Sequence, residues 1–114
     1  MALDVSGEAL ERLLQEGEGE VVLINLVRLR AGGAEAYQQY QAAVAPIAAR
    51  HGAAAIFAGP GVGTLIGDDA WDLGVVTRYP SRQALADLVN DPDFVDLTDL
   101  RHQALEGGVL YAFV

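Results

Sequence analysis

Residues 21–29, Val-Val-Leu-Ile-Asn-Leu-Val-Arg-Leu, constrain this chain more than any other stretch. So dense a run of Val, Ile and Leu belongs at the centre of a sheet. One amide, Asn25, interrupts it, and two guanidiniums, Arg28 and Arg30, mark its exit. A buried Asn without hydrogen-bond partners costs about 1–3 kcal/mol. Asn25 is therefore either a structural pin, bonded to a neighbouring loop or helix, or a donor that orients a ligand.

The elements around this strand follow from local patterns. Residues 6–15 read as a short amphipathic helix with Ser6 as N-cap and Gly17 as its stop. A long helix is expected over 34–51, ended by Gly52, with Tyr37, Tyr40, Val44, Ile47 and His51 on one face. Pro46 lies inside it and removes one backbone hydrogen bond, which predicts a kink near Ala42. Residues 53–58 and 62–66 read as two short strands around Gly59-Pro60-Gly61, and 71–79 as a further strand ended by Pro80. Ser81 caps a helix to about Val89. Asp91 and Pro92 supply the N-cap and first position of another, expected to run to Gly107-Gly108 before a closing strand at 109–114.

This order is the split βαβ pattern: an α+β, ferredoxin-like βαββαβ sandwich with an antiparallel sheet and helices on one face. The whole chain, 1–114, reads as one domain, with residues 1–19 as an N-terminal helical extension. The second sheet face needs a cover, and pairing with a second copy would supply it. A homodimer is the expectation.

Composition narrows the chemistry. A net charge of −9 argues against nucleic acid, whose phosphates are bound by excess Lys and Arg. No cysteine means no thiol nucleophile and no thiolate metal site. All seven cationic side chains are Arg, so Schiff-base chemistry and a P-loop lysine are excluded. No signal peptide or membrane-length apolar run is visible, and a cytoplasmic protein with no membrane partner is expected. Two separated histidines make no metal site, and no cofactor is expected. Gly59-Pro-Gly-Val-Gly63 lacks the strand-to-helix context of a phosphate cradle.

Several stretches together resemble the domain-of-unknown-function 1330 family, of the dimeric α/β-barrel group. They are Asn25-Leu-Val-Arg28, the pair Tyr37 and Tyr40, Trp71-Asp72, Tyr79-Pro-Ser81, Asp91-Pro92, and Arg101 ahead of Ala104-Leu105. The resemblance implies a ferredoxin-like protomer and a homodimer. It brings no assigned reaction; relatives include cofactor-free oxygenases, isomerases, dechlorinating enzymes and haem-binding proteins. Members often carry His directly before the Arg of the last helix, where this chain has Leu100. Its own His102 follows Arg101 and points about 100° away on a helix.

The candidate residues carry competing readings. If the strand at 21–29 lies antiparallel to that at 71–79 with Val21 opposite Tyr79, then Arg28 meets Asp72, as a salt bridge or as part of a site. Arg101 shares a stripe with Phe94, Leu97 and Ala104, so it is buried against a carboxylate, placed at an interface, or waiting for a ligand anion. Asp72 is one protein partner for it. Tyr37, Tyr40 and Trp71 are core aromatics or pocket walls. His51 reads as a surface cap suited to the helix dipole, and His102 as a general base still lacking a placed substrate.

The favoured reading is a pocket between sheet and helices for a small organic molecule, aromatic or polyketide-like. Asn25, Asp72 and Arg101 are the catalytic candidates. Arg28, Tyr40, Trp71 and His102 are the ligand-binding candidates. The chemistry would be cofactor-independent: isomerisation by proton transfer, cyclisation or oxygenation. The alternative is a non-catalytic binding or assembly module in which these polar residues are structural.

Overall fold

Strand β1, Val21–Leu29, lies inside a four-stranded sheet. The computed structural model describes residues 3–114. Ahead of β1 comes helix α1, Gly7–Gln15, and after it come α2 (Ala34–Arg50), β2 (Ala54–Pro60) and β3 (Leu73–Tyr79). Helices α3 (Arg82–Val89), α4 (Pro92–Val95) and α5 (Thr98–Ala104) then lead into β4, Leu105–Phe113. The sheet order is β2-β3-β1-β4 with every neighbouring pair antiparallel, which is the ferredoxin-like arrangement expected from the sequence.

The caps work as read. Ser6 accepts from Ala9 N at 3.2 Å, Ser81 from Ala84 N at 3.0 Å, and Asp91 from Asp93 N at 3.0 Å. Helix α2 runs unbroken through Pro46. Past its last turn, Gly52 takes φ +84°, and the amides of Gly52 and Ala53 turn back to the carbonyls of Ala49 and Ala48. That closure needs a residue at ease in the left-handed region.

Register decides which side chains share a face. Val21 pairs with Tyr79, as expected, and Asn25 pairs with Val75 on one side and Leu110 on the other. Val21, Leu23, Asn25 and Val27 therefore point towards the helices. Two clusters of buried residues form there. Val21 and Leu23 join Ile47, Tyr79, Leu85 and Leu88; Val27 joins Tyr37, Tyr40, Ala104 and Leu105. Burying Val21 completely is worth about 1.5–3 kcal/mol. Asn25 sits between the two clusters, at the break in the core.

The opposite face carries Val22, Ile24 and Leu26 with Val76, Phe57, Val109, Tyr111 and Phe113 beside them. Phe57, Val109, Tyr111 and Phe113 are exposed, and the rings of Tyr111 and Phe113 lie 5.2 Å apart. This is the uncovered apolar face that the fold implied.

Three sequence expectations need correction. Residues 62–66 form no strand; Val62, Leu65 and Ile66 stand almost fully in solvent on the β2–β3 loop. β2 instead extends through Pro60, which an edge strand tolerates because its outer side has no ladder to serve. The helix expected from Asp91 to Gly107 is two helices with a break at Asp96-Leu97. β4 begins at Leu105 and takes both glycines into the ladder. A Cβ on Gly108 would sit 3.1 Å from the Leu26 carbonyl, so glycine there serves close strand approach rather than a turn.

Candidate functional site

The break in the core opens into a cavity of about 580 Å³. Its floor is the helix-facing side of β1 and β4, including Leu23, Asn25 and Leu110. Tyr37 and Tyr40 of α2, Leu85 of α3, Phe94 of α4 and Arg101 of α5 form its walls. The last wall is the N-terminal segment and α1, through Leu3, Asp4, Ala9, Leu10 and Leu13. A mostly apolar cavity of this size with a few converging polar groups suits a small organic ligand.

Arg101 is the dominant polar group. It is 9 % exposed, and each of its three guanidinium nitrogens donates one hydrogen bond. Nε donates to the Leu3 carbonyl at 2.9 Å, Nη1 to the Tyr40 hydroxyl at 3.4 Å, and Nη2 to Asp4 Oδ1 at 2.6 Å. The rings of Phe94 and Tyr40 flank it, with centroids 5.4 and 5.8 Å from Cζ. Burial opposes its charge, but the bonds to Tyr40 and Asp4 outweigh that and lift its pKa above the usual value. Hydrogen bonds from Arg101 and then from His102 hold the Asp4 carboxyl below the usual carboxylate range. Arg101 thus has the protein carboxylate its apolar stripe required.

That carboxylate is Asp4, not Asp72. His102 Nε2 lies 2.9 Å from the same Asp4 oxygen. Arg101 and His102, expected to point apart on α5, both reach this one oxygen. Asp4 is the site residue that the sequence reading missed. It lies 97 positions from Arg101, in a segment with no apolar period. Its one visible signal is position: an acid just ahead of the Ser6 cap, close in sequence to the helix that needs an anchor.

Asn25 is half-buried and lines the cavity. Among the described residues its side chain has no protein hydrogen bond, which disfavours the structural pin. Tyr37 accepts from Gln41 Nε2, and burial pushes its phenol pKa up.

Arg28, Trp71 and Asp72 lie outside the cavity lining and form a separate cluster at the base of the β2–β3 loop. The salt bridge expected between Arg28 and Asp72 does not form. Arg28 instead donates from Nε and Nη2 to the Ala70 carbonyl, at 3.2 and 3.0 Å, and stacks 4.6 Å over the Trp71 ring. Its nearest carboxylate is Asp69, at 4.0 Å. Asp72 turns back to β1 and accepts the Leu29 amide at 2.7 Å. His51, the C-cap of α2, pairs with Asp91 at 2.8 Å, beside Arg50, away from the cavity. Among the described residues no group of three His, Asp or Glu could hold a metal ion. No helix among them is long and apolar enough to cross a membrane.

The cavity thus brings together Asn25, Tyr40 and Arg101. A family model matches the chain from within β1 to within β4. The domain of unknown function family DUF1330 covers residues 24–112. The chain belongs to this family. A protein of unknown function from Rhodopseudomonas palustris is 30 % identical, with a TM-score of 0.88 over 97 % of this chain and 94 % of the other. A dimeric ferredoxin-like protein of unknown function from Bacteroides fragilis NCTC 9343 superposes with a TM-score of 0.59 at 13 % identity, covering 83 % of this chain and 95 % of the other. A proposed antibiotic biosynthesis monooxygenase from Caulobacter crescentus CB15 gives 0.62 at 12 % identity, covering 84 % and 89 %. These last two show the DUF1330 chain's fold. Among curated proteins none matches the sequence.

Proposed function

We propose that this DUF1330 protein is a homodimeric small-molecule-binding protein whose ligand occupies the cavity between sheet and helices. The observation that carries the reading is the conjunction of Asn25 and Arg101 on one cavity wall system. The first is an amide without a protein partner among the described residues, and the second is a nearly buried guanidinium. Apolar side chains around them, such as Leu23, Leu85, Phe94 and Leu110, would hold the body of an aromatic or aliphatic compound. Asn25 and Arg101 would orient its polar ends.

The same groups support a cofactor-independent reaction. Donors fixed in an apolar cavity stabilise negative charge that develops on a bound molecule, because they need no reorganisation when it forms. Arg101 and the Tyr40 hydroxyl would stabilise an enolate-like anion during proton transfer, cyclisation or oxygenation. In this reading Asp72, Arg28 and Trp71 support the sheet and loop, and the site reduces to Asn25, Tyr40 and Arg101.

A fragment screen followed by amide NMR tests it. Binding fragments are expected to shift the amides around Asn25, Tyr40 and Leu110 together. A screen in which fragments cluster on the exposed sheet face, leaving those amides unmoved, would overturn the cavity reading.

A further inference from the structure

The ion pair between Arg101 and Asp4 is unequal in a way that bears on ligand chemistry. Arg101 belongs to the core: it stands 9 % exposed on α5, between two aromatic rings. Asp4 belongs to the surface, with its side chain 55 % exposed, on residues 3–6, which form no helix or strand. Two of the three groups that receive Arg101's hydrogen bonds, the Leu3 carbonyl and the Asp4 carboxylate, come from this one short segment. The third, Tyr40, is fixed in α2.

The wall that this segment begins is lightly held. Helix α1 contains no buried residue, and Leu10 and Leu13 rest against the edge of the first core cluster. A guanidinium, Arg82 Nη1, ties it down at the Leu13 carbonyl, 2.8 Å away. At its other end the ties are Arg101, on the Leu3 carbonyl and the Asp4 carboxylate, and His102, on the same Asp4 oxygen. Lifting residues 3–6 would open the cavity and strip Arg101 of its carboxylate at the same moment. A guanidinium in that position keeps its charge and must then find another anion.

We infer that Asp4 is an internal stand-in for the ligand's own carboxylate, and that the cavity takes a monocarboxylate with an apolar body, anchored on Arg101 and Tyr40 when Asp4 gives way. This rests on the cavity being the ligand site. The cavity offers one buried guanidinium, which suits the single charge and planar oxygens of a carboxylate better than a phosphate dianion. The other cation on its lining, Arg12 of α1, stands mostly in solvent and pairs with Glu8 at 3.3 Å. Beyond Arg101 the lining turns apolar through Phe94, Leu85, Leu23 and Leu110, with Asn25 set to receive a second polar group of the ligand.

Calorimetry with the full chain and two probes of equal length, sodium octanoate and 1-octanol, tests this. Octanoate is expected to bind at least tenfold more tightly than octanol. Asp4→Asn removes the competing charge and is expected to tighten octanoate several-fold more than it tightens octanol. Arg101→Met is expected to bring the two probes within threefold of each other. Should that variant fail to fold, Asp4→Asn, on an exposed segment, still decides the matter. Equal affinities for the two probes in the parent protein would overturn the carboxylate anchor and leave the cavity reading standing. So would an octanoate affinity that gains no more than that of octanol in Asp4→Asn. Failure of both probes to bind parent and variant alike would take the cavity reading down as well.

Discussion

Asp72 closes the β1–β3 ladder by offering its side chain to the backbone amide of Leu29, 2.7 Å away. Backbone pairing in this ladder reaches Val27 and Leu73, and the Asp72 amide then bonds the Val27 carbonyl at 2.8 Å. The carboxylate extends the join by one more bond, at the place where β1 shifts register against β4 between Arg28 and Leu29. An acid that the sequence marked for catalysis is occupied with holding two strands together.

Asp72→Ala should therefore destabilise the protein by about 1 kcal/mol, the usual net worth of one hydrogen bond. Asp72→Asn keeps an acceptor oxygen and should recover most of that loss. Ligand binding at the cavity should be the same in both. Urea unfolding of the two variants, with one fragment titration each, makes the comparison. Loss of binding in Asp72→Asn with stability intact would return Asp72 to the site.

Asn25→Leu separates the two roles weighed for that amide. Leucine suits a strand, and Asn25 has no protein partner to abandon among the described residues, so stability should hold or rise by up to about 1 kcal/mol. Binding of polar fragments at the cavity should fall at least tenfold. A clear drop in melting temperature would mean that the amide pins the core after all.

Backbone architecture was more legible than side-chain pairing. Val21 opposite Tyr79 could be supposed from length alone, by laying two apolar runs antiparallel, and the observed register agrees. From that register Arg28 and Asp72 were correctly placed as neighbours, but neighbouring backbones do not choose partners for long side chains. Arg28 has enough reach to find a carbonyl and an indole face, while Asp72 is short and takes the nearest amide. Residues 62–66 looked like a strand because periodicity registers apolar content, and there they cover nothing within the protomer. Arg101's need for an anion could be read from its apolar stripe. Asp4 could not be identified, since only folding brings the two ends of the chain together.

The face carrying Phe57, Val109, Tyr111 and Phe113 should be buried against a second copy. Light scattering at micromolar concentration should return twice the 12.0 kDa protomer mass. A stable assembly needs about 1,000 Å² or more of buried surface, which this sheet face can contribute to. Tyr111→Glu places a charge beside Phe113 in the middle of that patch and should weaken the dimer more than tenfold. The β2–β3 loop is anchored by Arg28, whose side chain rises on the same face as Ile24 and Leu26, so Leu65→Ser with Ile66→Ser should weaken it too. A monomeric mass for the parent protein would overturn the dimer.

Acid stability should carry the signature of Asp91. Its carboxyl is held at about 2, below its ordinary 3.8, first by the hydrogen bond with His51, then by the Asp93 amide, and further by Arg50. The folded protein therefore binds this proton less readily than the unfolded chain does. A depressed carboxylate adds stability that is present in full above the unfolded value and is lost as pH falls through the folded one. For Asp91 the loss falls between about pH 4 and pH 2. Asp91→Asn keeps a good N-cap for α4, because Asn caps as well as Asp, but removes the charge that His51 and Arg50 face. The parent should melt at a higher temperature than Asp91→Asn at neutral pH, and the gap should close as the pH is lowered from 4 to 2. The comparison cancels the other carboxylates, Asp4 included, since both proteins share them. A gap of constant size across that range would show that the His51–Asp91–Arg50 cluster contributes nothing through its charge.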